Sequence, residues 1–409
     1  MSFSIIRTKA LHPPPNQTSN QDIYNEASDN VPFFTPAQKP AAGTAVQPQP
    51  SDDTKKVPKL FTPLTIRSTT FQNRIFVSPI DGPGLTMVEA TAVQARGRIT
   101  PEDSGIYLDA HIDALRPCVD FAHSQGQKIG IQLSHAGRKA STVAPWLSMG
   151  ATATETVGGW PDDVLAPSDL RYNDAFPPVR AMTVAEIEQL KKYWVDATRR
   201  AVVAGFDVVE IHAAHGYLLH SFLSPASNKR TDQYGGSFDN RVRLLVEVVE
   251  RVRGEMPQQM PLFVRISATD WLEEVEGYGP EEDKSWTAEQ SARLAQVLAT
   301  KGGPGYQAGF ARKIKEAVTL GDKLLVSTVG SITSGKLAEQ LLTGNGGDDG
   351  KQEVELDVVM AGRAFQKNPG LVWAWADELG IPIHHANQVG WGFGGRGAKG
   401  RASEKKNAP

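Results

Sequence analysis

The chain has 409 residues, 40% of them hydrophobic and 22% charged, with a net charge of −3. That is the balance of a globular enzyme, and it offers nucleic acid or an anionic membrane nothing to hold. A single cysteine, Cys118, rules out an internal disulfide and fits a reducing, cytoplasmic setting, and no apolar run reaches the roughly 18 residues of a membrane span. The length suits one large barrel domain with extensions, or two smaller domains.

Residues 1–57 are rich in Pro, Gln, Ala, Ser and Asn without a sustained apolar period, so an N-terminal arm that is mostly disordered is expected. Within it VPFFTPAQKPAAGTA has the make-up of an extended segment lying on the body. The opening MSFSIIRTKALHPPP has too short an apolar run for a signal peptide. From 58 to 397 apolar strands alternate with amphipathic helices, the signature of a parallel sheet with crossover helices. Candidate strands are Arg74–Ser78, Leu85–Ala92, Lys128–Leu133, Phe206–Ile211, Leu262–Ile266, Leu324–Thr328 and Leu356–Ala361. Thr183 with Glu186 and Thr287 with Gln290 form capping boxes that open two of the helices, and Gly205 closes the first. Residues 134–182 make a long loop of the kind that carries function. Residues 398–409 read as a basic, mobile tail.

Seven strands are one short of a closed (β/α)₈ TIM barrel, and two joints are too tight. Only Ile80-Asp81-Gly82-Pro83-Gly84 separate Ser78-Pro79 from Leu85, whereas a parallel crossover takes about a dozen residues. Later, the helix ending near Thr300 runs into KGGPGYQAGFARKIKEAV, a second helix, with no strand between them. Helix 1 and strand 6 of the barrel are therefore expected to be missing.

The candidate chemistry sits at strand ends. Gln132 closes the third strand, His212 and His215 follow the fourth with Tyr217 just beyond, and Arg265 lies in the fifth. A lone Gln or Arg there is usually structural; together on consecutive strand ends they point to an active site. His212, His215 and His220 also allow a metal-dependent barrel hydrolase as a minority reading. STVGSITS and AGRAF follow the last two strands, where a complete barrel binds phosphate after its seventh and eighth. Gly330 and Gly362 allow close backbone approach, Ser331 donates, and Arg363 opposes the helix dipole unless an anion binds there.

These segments, read together, resemble the Old Yellow Enzyme family of NADH:flavin oxidoreductases and ene-reductases, in its bacterial-type and filamentous-fungal branch. LFTPLTI, NRIFVSP, GRITPEDSGIY, IGIQLSHAGRKA, HAAHGYLLHSFLSP, LVSTVGSI and GRAFQKNP recur in family order. The resemblance implies FMN as cofactor, NADPH or NADH as hydride donor, and α,β-unsaturated carbonyl compounds (enones or enals) as substrates. It implies that Ser78 and Pro79 floor the flavin ring, Gln132 and Arg265 meet its pyrimidine edge, and Gly330, Ser331, Gly362 and Arg363 bind its phosphate. His212 and His215 would hold the substrate carbonyl and Tyr217 would donate the proton. It also leaves room for a homo-oligomer and for a fungal biosynthetic pathway. The chain departs from the family in three places. The cysteine-bearing first loop and the sixth strand are absent, and Val389-Gly390 replace an arginine that reaches the neighbouring subunit, with Arg396 a stand-in. The clean edges of the two gaps are those of exon loss, alternative splicing or a misread gene, which makes an inactive, partly folded relative the alternative.

Overall fold

The computed structural model describes residues 26–32, 34–47, 56–77, 82–148, 150–272, 274–278, 284–301, 315, 325–345 and 352–386. Two short strands, β1 (Leu64–Ile66) and β2 (Thr69–Phe71), form an antiparallel hairpin ahead of the body. The body is one parallel sheet of β3 (Ile75–Val77), β4 (Leu85–Ala92), β5 (Lys128–Ser134), β8 (Val208–Ala213), β9 (Leu262–Ile266), β10 (Ser327–Val329) and β11 (Val358–Ala361). A two-residue pair, β6 (Leu165–Ala166) and β7 (Arg180–Ala181), stiffens the long loop between β5 and β8. The sheet order is β10-β11-β3-β4-β5-β8-β9, so the chain wraps round until β11 meets β3 and then stops one strand short. Each of the seven expected strands is present. Among the described residues nothing joins β9 to β10, and this is the wall that strand 6 would fill.

Packing explains why these segments hold. β8 is buried at all six positions, and Ile129, Ile131 and Leu133 of β5 are buried beside it. Strands covered on both faces read as continuous apolar runs, which is how they announce themselves in sequence. α1 (Ala110–Ser124), α2 (Val184–Ala204), α3 (Leu218–Leu223), α4 (Phe238–Glu255) and α5 (Ala288–Lys301) cover the outer face, followed by α6 (Gly335–Thr343), α7 (Arg363–Lys367) and α8 (Leu371–Glu378). The Thr183–Glu186 capping box forms in both directions, and Gly205 ends α2 with φ 98°. At α5 the bond from the Gln290 amide to Thr287 Oγ1 is made at 3.3 Å.

Strand bounds shift where side chains compete for the ladder. β8 starts at Val208, not Phe206, because the Asp207 carboxylate takes the Ile129 amide at 3.0 Å and the Lys128 ammonium at 3.0 Å. It runs on through His212 and Ala213, which pair with Arg265 and Ile266. His212 is therefore inside the strand, not after it. β11 begins at Val358, two residues later than expected; just before it, Asp357 accepts the Val326 amide on its carboxylate (2.8 Å) and donates its own amide to the Val326 carbonyl (3.0 Å).

The short link from β3 to β4 is compatible with a parallel pair because the overlap is only Phe76–Leu85 and Val77–Thr86. Two residues of overlap are about 7 Å of strand, a distance that seven linking residues retrace without a helix. Residues 78–81 of that link lie outside the described residues. Its far end is tied down: buried Asn73 donates Nδ2 to the carbonyls of Gly82 (2.7 Å) and Gly43 (3.1 Å). Gly43 belongs to the N-terminal segment. That segment pairs with residues 382–384 through Gly43 N to His384 O (2.7 Å) and Val46 N to Pro382 O (2.9 Å). The arm thus closes the end of the barrel under the shortened joint.

Candidate active site

The C-terminal end of β8 turns sharply, and that turn carries the chemistry. His215 adopts φ 61° and Gly216 φ 72°. A left-handed non-glycine residue persists only when its surroundings over-determine it. Here the Ser267 hydroxyl accepts the His215 amide (2.9 Å), Lys139 Nζ donates to the His215 carbonyl (2.7 Å), and His220 Nδ1 accepts the Gly216 amide (2.7 Å). The Tyr217 amide closes the turn onto the Ala214 carbonyl at 3.2 Å.

The turn gathers His212, His215 and Tyr217 edge to face, with ring centroids 5.1 Å apart for the histidines and 5.0 Å for His212 and Tyr217. The Ala214 amide donates to His212 Nδ1 (3.2 Å), so the neutral His212 proton sits on Nε2. That nitrogen is 3.3 Å from His215 Nδ1, which leaves the His215 proton on Nε2. Both rings are held neutral. Burial lowers the His212 pKa well below the usual range, helped by the neighbouring His215 and Arg265. Burial, then Arg265, His220 and Lys139, lowers His215 to about 4, although part of that residue is exposed, which moderates the effect of burial. Burial, then Asp103, raises Tyr217 to about 12, so its phenol stays protonated.

Beneath this turn lies a polar layer that crosses three strands. Gln132 of β5 donates its amide to the Glu210 carboxylate of β8, its partner in register. Arg265 of β9 pairs in register with His212, and its Nη1 lies 4.0 Å from Glu210 Oε1. Glu210, Arg265 and Ser327 face one cavity, which reaches into the gap between β9 and β10. Across the sheet, Gly330 and Ser331 follow β10 while Gly362 and Arg363 follow β11, side by side because Val329 pairs with Met360. All four are exposed, and a Cβ at Gly330 (φ 112°) or Gly362 would meet open space. Such a cradle fits a phosphate, and Gln132 with Arg265 offers donors to a flavin's polar edge, so the described residues fit FMN. Ser78, Pro79, Val389, Gly390 and Arg396 lie outside the described residues.

His220 does not join the other two histidines around a metal. Its Nε2 faces Asp270 Oδ1 at 3.1 Å while its Nδ1 holds the turn, and no metal-binding cluster of three His, Cys, Asp or Glu occurs among the described residues. Asp270 is fixed in turn by Ser224 Oγ and by the Trp286 amide (2.8 Å). The metal reading therefore loses its third ligand to a structural pair.

Three contributors were not singled out from the sequence: Glu210, Lys139 and Asp270. Glu210 had a signal, since it precedes His212 by two residues and so shares its face of the strand. The others meet the turn only through the fold.

A buried neighbour gives the site an acid sensitivity. His135 is 2% exposed, accepts the Gly137 amide at Nδ1 (3.1 Å), and burial lowers its pKa from 6.5 to about 3. Between those values the unfolded chain binds a proton that the folded one refuses, so stability falls as pH drops below 6.5. His135 alone is worth on the order of 3 kcal/mol by pH 4. The melting temperature should fall steeply from pH 6.5 to pH 4.5, and more shallowly in His135→Asn. Parallel profiles for the two proteins would contradict this account.

Comparison with known proteins agrees with the geometry. The family model for the NADH:flavin oxidoreductase / NADH oxidase family matches residues 80–379. An NADH:flavin oxidoreductase of Gibberella zeae is 48% identical, with 92% of this chain and 98% of the relative covered. An NADPH dehydrogenase of Bacillus subtilis is 36% identical over 81% of this chain and 99% of its own length. Among solved structures, morphinone reductase in complex with tetrahydroNAD superposes with TM-score 0.63 at 25% identity, covering 80% of this chain and 93% of that one. Old Yellow Enzyme from Pichia gives TM-score 0.62 at 26% identity, covering 81% and 89%. The Gibberella alignment runs over 423 residues, longer than the 409 of this chain, so the relative carries stretches that face nothing here.

Proposed function

This chain belongs to the NADH:flavin oxidoreductase / NADH oxidase family, that of the Old Yellow Enzymes, and from that membership we propose that it reduces the activated C=C bond of enones and enals. It is an NAD(P)H:flavin oxidoreductase with FMN as cofactor. The finer reading is carried by one observation: two neutral histidines and a protonated tyrosine converge at the end of β8, with Arg265 in register beside them. Residues 58–397 form the catalytic unit in this reading.

The chemistry FMN supplies when bound is hydride transfer, taken from NADPH or NADH and given to an electron-poor carbon. Gln132 and Arg265 would hold its pyrimidine edge, where a fixed positive charge favours the electron-rich form. Gly330, Ser331, Gly362 and Arg363 would hold its phosphate, and Ser78 and Pro79 would floor its ring. His215 offers Nε2–H to the substrate carbonyl, and His212 Nε2–H is free to join it by giving up a 3.3 Å contact. Their donation draws electrons from the β-carbon. Tyr217 gives its proton to the α-carbon as general acid. Because both histidines stay neutral, that proton comes from the phenol.

The likeness to a Gibberella protein supports a fungal setting, and we place the enzyme in a biosynthetic pathway in the cytoplasm. That no strand joins β9 to β10 among the described residues favours one competing reading, an inactive or partly folded relative. Anaerobic incubation with FMN, NADPH and 2-cyclohexen-1-one tests the activity. Cyclohexanone formed in step with NADPH loss is expected; NADPH loss only in oxygen, with the enone returned, would overturn it.

A further inference from the structure

Arg138 and Lys139 sit beside the catalytic turn and have no carboxylate partner among the described residues. They occupy a 3₁₀ turn, Gly137–Lys139, directly after β5. Gly137 (φ 59°) makes this possible: a Cβ there would lie 2.8 Å from Leu218 Cα, so only glycine lets the turn press against the start of α3. Lys139 consequently packs on Gly216, where a Cβ would meet its Nζ at 3.3 Å. Both cations are half-buried. Lys139 Nζ bonds a carbonyl, that of His215, and lies 4.2 Å from the Tyr172 ring centre and 5.8 Å from that of Tyr217. The Arg138 guanidinium lies 5.5 Å from the Tyr172 ring centre, and its buried Nε makes no hydrogen bond. The carboxylate whose charge it feels, Asp270, is already engaged by His220, Ser224 and the Trp286 amide.

Two adjacent, partly desolvated cations without a counter-ion are costly unless something supplies one. Burial lowers the pKa of both, and Arg138 lowers that of Lys139 further, to about 8. Aromatic faces soften this cost without cancelling it. An arginine fork beside a lysine is a recognition element for an oxyanion, and Tyr172 gives it a flat wall.

We propose that Arg138 and Lys139, walled by Tyr172, form an oxyanion subsite at the mouth of the active site, which takes a carboxylate or phosphate carried by the ligand that enters over His212 and His215. Two sources have this chemistry: an acidic group on the substrate, or the 2′-phosphate that separates NADPH from NADH. The inference deepens the reductase reading by naming the charge of its ligands. Its test uses binding alone, so the two fail separately.

Calorimetric titration of the full chain, with FMN added, compares two ligand pairs. Levulinate against methyl levulinate reports a substrate carboxylate, and 2′,5′-ADP against 5′-AMP reports the nucleotide phosphate. At least one anion should bind tenfold or more tightly than its partner. Arg138→Gln should bring that ratio near one, and Arg138→Lys should retain part of it. A preference in the first pair assigns the subsite to substrate and in the second to NADPH. Equal affinities within both pairs, or a preference that survives Arg138→Gln unchanged, would overturn the proposal. If the preference appears and tracks Arg138 while no enone is reduced, the subsite stands and the reductase reading falls.

Discussion

Tyr217→Phe is expected to slow enone reduction by roughly 10²- to 10⁴-fold, the usual worth of a positioned general acid. The phenol is the group suited to the task, because burial holds His212 neutral, burial with Arg265, His220 and Lys139 lowers His215, and burial keeps Tyr217 protonated. The ring itself packs with Ala136, Ala140 and Val164 in a small second core, so the phenylalanine keeps the packing and removes only the hydroxyl. Stopped-flow measurement separates the halves of the cycle. Flavin reduction by NADPH needs no proton from this position and should change little, whereas flavin reoxidation by an enone should become rate-limiting. A loss of less than tenfold in the second half would show that water, not Tyr217, supplies the proton.

Filling the gap between β9 and β10 should have the largest effect on stability. Inserting an apolar strand between Thr300 and Lys301, where the family resemblance puts the sixth strand, would give both edges a partner. Two or three inward side chains newly buried contribute about 5 kcal/mol in total. In a domain of this size that raises the melting temperature on the order of 10 °C. The graft should also tighten FMN binding, because Arg265 and Ser327 line the cavity that opens into the gap. An unchanged melting temperature would mean that residues of this chain already seal the wall. Among the described residues the outer edges of β9 and β10 have no strand partner, which predicts association at high concentration.

Much of this was legible in the sequence, for identifiable reasons. Strands buried on both faces, such as β5 and β8, read as unbroken apolar runs with few alternatives. That no strand joins β9 to β10 among the described residues agrees with the expected loss of strand 6, while the second helix expected in KGGPGYQAGFARKIKEAV lies, apart from Lys301 and Lys315, outside the described residues. What the sequence hid were contacts made at long range. Lys139 meets the His215 carbonyl across 76 residues, and nothing in the pattern HAGRKA announces that partner. Asp270 and His220 pair only because α3 folds back beneath the turn. The His220 case is instructive: three histidines in nine residues suggest a metal, yet the third accepts the Gly216 amide at Nδ1 and faces Asp270 with Nε2. The β3–β4 joint taught the reverse lesson. A rule requiring a long crossover failed because the paired overlap is only two residues.

FMN binding by a sheet in which no described strand joins β9 to β10 is open to direct measurement. Its most direct test is the absorption spectrum of the purified chain titrated with FMN and then with NADPH under nitrogen. Protein-bound flavin bands that bleach on adding NADPH and return with an enone are expected. FMN that stays free in solution, its spectrum untouched by the protein, would mean the open wall has abolished the site.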